Sequence, residues 1–169
     1  MADNSKPVSS LSGDDRIKLL NTNALRVLKS VGREAYIPLV QQASQSTNGK
    51  VQPWELVATF FRESHFDPNA KSKSSTASGL GQILSGTQKG LGITNPFDPM
   101  QAIMGSAKYI SQLKAENGDD PLTAQKSYAV GAGGYRRYLK GDPTVKGTDQ
   151  FAGVEKKWNQ ALAALESGY

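Results

Sequence analysis

Between Pro53 and Pro68 lies the segment that most limits how this chain can fold: Trp54-Glu55-Leu56-Val57-Ala58-Thr59-Phe60-Phe61-Arg62-Glu63-Ser64. It is almost wholly apolar up to its end, and the chain then breaks at Asp67-Pro68-Asn69. Pro53 occupies the place of a first helical residue, so the helix starts near Gln52. At helical spacing Leu56, Phe60 and Glu63 share one stripe. A helix of this kind has to be buried, and it takes a carboxylate in with it. Desolvation raises the pKa of such a group, which is what a general acid working near neutral pH requires. The alternative is a structural glutamate paired with Arg62 or another cation.

The rest of the chain reads as short helices separated by proline, glycine and polar breaks. Asp14-Asp15 opens an amphipathic segment through Ile17, Leu20, Leu25, Leu28 and Val31 that ends at Gly32. A second apolar stretch, Tyr36 to Val40, continues towards Ala43 and gives way to a polar loop from Ser44 to Lys50. Asn69 to Ser78 is small and polar, a loop or short irregular hairpin. Gly79 to Leu84 is expected to open another helix. Asp98-Pro99 starts a helix ending near Asn117-Gly118, and Asp120-Pro121 starts a shorter one through Ala129, broken by Gly131, Gly133 and Gly134. A last helix runs from Gln150 to about Leu165, with Phe151, Val154, Trp158, Leu162 and Leu165 inside. The expected fold is mainly α, with five to seven helices and little or no β-structure. Residues 1–14 are expected to form a mobile lead-in and residues 15–169 a single domain.

Composition excludes several chemistries. The 169 residues suffice for one domain with a real core. No apolar run approaches the roughly 20 residues needed to span a bilayer, so membrane insertion is not expected. Met1 to Pro7 lacks the apolar region of a secretory signal. The absence of cysteine removes thiol nucleophiles and cysteine metal sites. The single histidine, His65, cannot anchor a multi-histidine metal site and reads as an exposed helix end, so no metal or other cofactor is implied. A net charge of +5 favours acidic polymers as partners. The basic residues are scattered, however, with no stripe interleaved with aromatics, which argues against nucleic acid.

Three islands carry chemistry. They are Glu63-Ser64-His65-Phe66-Asp67-Pro68-Asn69-Ala70, continuing to Ser72; Ser78-Gly79-Leu80-Gly81-Gln82-Ile83; and Ser127-Tyr128-Ala129-Val130-Gly131-Ala132-Gly133. In order and approximate spacing they resemble the lytic transglycosylases of glycoside hydrolase family 23, relatives of goose-type lysozyme. That family has a Glu-Ser pair, Phe-x-Pro-x-Ala-x-Ser, Gly-Leu-Met-Gln, and Ala-Tyr-Asn-Ala-Gly-x-Gly. The likeness covers about Pro53 to Leu139. It departs at Gly81, where the family has methionine, at Ala129, where it has asparagine, and in a loop one residue longer.

Glycosidic cleavage needs a proton delivered to the leaving oxygen as positive charge develops at the anomeric carbon. Glu63 is the candidate donor. Most glycosidases use a second carboxylate, but Asp67 precedes Pro-Asn as a turn residue would, and Asp98 looks like a helix N-cap. A lone acid suits the mechanism the resemblance implies. There the substrate's N-acetyl group assists, the same glutamate then acts as base, and the muramic acid C6 hydroxyl closes a 1,6-anhydro ring. Gln82 could hold an N-acetyl group, or cap a helix start. Ser64 could bond a sugar, or its own helix carbonyl. Tyr128 could set its phenol against Glu63, or be a half-buried core residue. Gly79, Gly131 and Gly133 could let backbone approach a glycan chain closely, with plain turn duty the alternative, and Leu80 is a further substrate-binding candidate. Tyr135 could stack on a sugar ring or pack on the last helix.

The resemblance thus implies a lysozyme-like fold and a lytic transglycosylase cutting the MurNAc-GlcNAc β-1,4 bond of peptidoglycan glycan strands. The rivals are a hydrolytic muramidase and a peptidoglycan-binding or structural module with weak activity. The long Ser-rich loop before Gly79-Leu80 is similar to wall-degrading domains carried by bacteriophage particles. With no signal segment, this makes a phage virion protein acting in the host periplasm the expected setting, with other virion proteins as further partners.

Overall fold

A computed structural model describes residues 11–145 and 147–168. Most of the 1–14 lead-in therefore lies outside the described residues. Among the described residues eight α-helices follow one another: α1 Gly13–Ser30, α2 Ile37–Ser46, α3 Pro53–Ser64, α4 Ser85–Gly90, α5 Pro99–Asn117, α6 Pro121–Val130, α7 Ala132–Leu139 and α8 Gly147–Ser167, with a 3-10 turn at Glu34–Tyr36. Two isolated antiparallel bridges, Lys71 with Ser78 and Ser78 with Ile83, give the Asn69–Ser78 loop its hairpin-like form.

The starts of these helices follow from local chemistry. Ser12 Oγ accepts from the Asp15 N–H at 3.2 Å, Asp98 Oδ1 from Met100 at 2.9 Å, and Asp120 Oδ2 from Thr123 at 2.9 Å. Each satisfies an N–H that the first turn leaves without a partner. Pro53, Pro99 and Pro121 each open a helix, where a missing N–H costs nothing. At the far end of α3 the chain reverses through His65 and Phe66, with φ of 50° and 62°. This turn is held by Phe66 N–H donating to Phe60 O at 3.3 Å.

Helix α3 is the spine, packed against α1, α2, α5 and α8. Leu56, Val57, Ala58 and Phe60 are wholly buried, with Leu28, Val40, Ile103, Ile110 and Leu113 in the same core. Each of these side chains larger than Ala58 contributes roughly 1.5–3 kcal/mol by leaving water. One charged pair lies inside this core. Lys114 Nζ stands 2.6 Å from Glu55 Oε1, with side-chain exposures of 5% and 2%, and also donates to Lys50 O at 2.9 Å.

The eight helices exceed the five to seven expected by α7, and one expected helix starts later than the sequence suggests. Gly79–Leu84 does not open a helix; it is an irregular turn, and α4 begins only at Ser85. Gly133 and Gly134 do not break the chain but lie within α7, whereas Gly131, at φ 76°, does end α6. Helix α2 also extends to Ser46, into the stretch expected as loop.

Candidate active site

The cleft forms where the end of α3, the 72–87 segment, α5 and the end of α6 meet. It encloses about 360 Å³ and is lined by residues including Glu63, Ser72, Gln82, Tyr109, Tyr128 and Ala129. Glu63 arrives here because it is on the last turn of the buried helix, and its side chain retains 19% exposure. Burial pushes its carboxyl above the usual carboxylate range, while Arg62 and Lys157 pull the other way without prevailing. Glu63 is paired with Arg62, whose Nη2 is 2.5 Å from Glu63 Oε1, while burial shifts the carboxyl towards its acid form.

Gln82 lines the cleft in a left-handed conformation, φ 47°, uncommon for a residue with a Cβ. Its Nε2 donates to Gly79 O at 2.9 Å and Ala70 O at 3.1 Å, which leaves Oε1 without a partner among the described residues. It caps no helix, since the N-cap of α4 is Leu84. Gly79 makes the turn possible: its φ is 74°, and a Cβ there would collide with the Pro96 carbonyl. Gly81 has no room for a side chain either, as a Cβ would collide with Ser106 Oγ and crowd the Tyr128 hydroxyl.

The Tyr128 phenol is not directed at Glu63. It donates to Gly81 O at 2.6 Å and lies 3.5 Å from Ser106 Oγ, because a buried hydroxyl takes the buried carbonyl within reach. Burial, followed by the nearby Glu63 charge, raises the phenol far above its usual range, so it stays a donor. Its ring lines the cleft and packs 5.2 Å from Tyr109.

The structure brings Glu63, Gln82 and Tyr128 together, and leaves Ser64, Leu80, Gly79 and Tyr135 off the lining. Ser64 Oγ donates back to Phe60 O at 3.2 Å. Leu80 is fully buried in the core, and Gly79 supports the turn from beneath. Tyr135 packs against Tyr138 and Phe151, at 5.9 Å from each. Gln125 escaped sequence reading, although it stands three residues before Tyr128 on the same helical face. Wholly buried, it accepts from Arg62 Nη2 at 2.8 Å.

A family model described as the Transglycosylase SLT domain matches residues 39–151. The chain belongs to this family. The match runs from α2 to the start of α8 and takes in every residue lining the cleft. Among similar proteins is the membrane-bound lytic murein transglycosylase F of Shewanella halifaxensis, 36% identical over 77 residues, which are 46% of this chain and 16% of that protein. The protein of the same name from Stutzerimonas stutzeri is 37% identical over 87 residues, 47% of this chain and 18% of its own. That from Shewanella pealeana is 36% identical over 85 residues, again 47% and 18%. The matched stretches thus span less than a fifth of the length of these relatives. Among its described residues no helix is long and apolar enough to cross a membrane.

Proposed function

We propose that this domain is a peptidoglycan lytic transglycosylase of the glycoside hydrolase family 23 type, with Glu63 as its single general acid and base. The observation that carries this reading is that Glu63 is the one carboxylate among the described residues lining the cleft. Asp67 and Asp98 are occupied elsewhere, accepting from Asn69 and Met100 N–H groups at 2.9 Å. A two-carboxylate mechanism thus has no second member here. In the proposed reaction the Glu63 proton passes to the glycosidic oxygen as the C1–O bond breaks and its electron pair leaves with that oxygen. The substrate's own N-acetyl oxygen bonds to C1. The Glu63 carboxylate then takes the proton of the muramic acid C6 hydroxyl while O6 displaces the N-acetyl oxygen. A 1,6-anhydro end forms and Glu63 is protonated again, so no water is consumed.

Gln82 is proposed to accept the N-acetyl N–H at its free Oε1, and Tyr128 to offer its ring face to the sugar. Residues 15–169 are taken as one lysozyme-like domain acting on the wall, reached through the periplasm. The Ser-rich 69–78 loop supports carriage by a phage particle, which detection of the protein in purified virions would test. The direct test of the activity is clearing of isolated sacculi by the wild type and by Glu63→Gln. The wild type is expected to clear them and the variant, folded, to leave them intact. Near wild-type clearing by the variant would refute the assignment of Glu63. Binding without clearing by the wild type would instead identify a peptidoglycan-binding module.

A further inference from the structure

Residues adjacent on a helix do not face each other, so an Arg62–Glu63 contact needs an external hold on the guanidinium. Gln125 supplies it, and the polarity of the chain behind it is fixed. Thr59 Oγ1 donates to Glu55 O at 2.7 Å, so that oxygen accepts from Gln125 Nε2 at 3.0 Å. The amide therefore turns its Oε1 towards Arg62 Nη2. The guanidinium also lies over the Tyr128 ring, 5.8 Å from its centroid. Its side chain is only 5% exposed, and its Nε is buried with no partner. A buried cation held with one donor unsatisfied is costly. Surface attraction does not account for it.

We propose that Arg62, fixed by Gln125, is a positioning residue that holds the Glu63 carboxylate formed when the proton leaves and keeps its Oε2 available to the glycan. The proposal rests on the reading of Glu63 as the acid. Arg62 makes its short contact with Oε1, and Oε2 accepts no hydrogen bond among the described residues. In the first half of the reaction Glu63 passes from neutral to charged, and the guanidinium is already in place for that charge, with no reorganisation to await. The other groups bearing on Glu63 are Lys157 from α8 and the Tyr128 phenol from α6. Neither has the short contact that Arg62 makes.

The test is an NMR titration of the Glu63 carboxyl carbon in the wild type, Arg62→Met and Gln125→Met, with the pH dependence of sacculus clearing measured in parallel. Losing the cation is expected to weaken Glu63 as an acid by about tenfold in its dissociation constant. The alkaline limb of the activity profile should move up with it while the maximal rate falls. Gln125→Met should act in the same direction by less, and Arg62→Lys should return the limb towards its wild-type position. A Glu63 titration unmoved in whichever of Arg62→Met and Gln125→Met folds would overturn the proposal. Lost activity with an unmoved titration would mean a merely structural role. The titration does not depend on turnover, so a wild type that fails to clear sacculi would sink the functional reading separately.

Discussion

The Tyr128 hydroxyl donates to the Gly81 carbonyl at 2.6 Å, binding the end of α6 to the turn that carries Gln82. The contact accounts for the glycine. A Cβ at position 81 would collide with Ser106 Oγ and crowd the phenol oxygen, so the methionine of the resembling family has no space here. Gly81→Ala is expected to cost about 1–3 kcal/mol through overpacking, read as a lowered unfolding midpoint in urea. In a Ser106→Ala/Tyr128→Phe background the same change should cost less. Equal costs in both backgrounds would show that these two oxygens do not exclude a side chain.

Glu63→Gln should unfold at or above the wild-type temperature at neutral pH. Burial raises the folded-state pKa of Glu63, so between its unfolded and folded values the folded state binds more protons and stability falls as pH rises. A neutral amide avoids that loss. The advantage should fade as pH drops below the unfolded value, where the wild-type carboxyl is protonated in both states. A variant less stable at neutral pH by several degrees would mean that the Arg62 attraction outweighs the burial cost.

Activity should be present below the raised Glu63 pKa and lost above it, since the proton donor is the neutral acid. Rates of sacculus clearing followed across about pH 4 to 9 check this. A flat profile across that range would contradict acid catalysis by Glu63.

Lys114→Met should destabilise by about 3–5 kcal/mol, because it leaves the Glu55 carboxylate buried without its cation. Glu55→Gln/Lys114→Met should recover most of the loss. Denaturant unfolding of the single and double variants measures both, and a loss equally large in the double variant would place the cost in packing instead.

The parts of this fold legible in the sequence are those set by local chemistry. Pro53, Asp98-Pro99 and Asp120-Pro121 mark helix starts within one turn, and the Leu56–Phe60–Glu63 stripe carries its carboxylate to the cleft. What stayed hidden depends on distant partners. The turn at Gly79–Gln82 is shaped by the Pro96 carbonyl and by a tyrosine 47 residues on. Gln125 meets Arg62 across 63 residues. Gly133 and Gly134 are accommodated in α7, where a cost of about 1 kcal/mol per glycine is offset by packing of Tyr135 on Phe151. Periodicity cannot report on contacts that exist only after the chain has folded.

The most direct test of the central claim is mass spectrometry of the muropeptides released when the purified protein digests isolated sacculi. Glycan cleavage by Glu63 alone, with the C6 hydroxyl in place of water, predicts products lighter by one water than their hydrolytic counterparts, carrying 1,6-anhydro ends. Products with reducing ends would contradict it, for they take up a water molecule in place of the C6 hydroxyl.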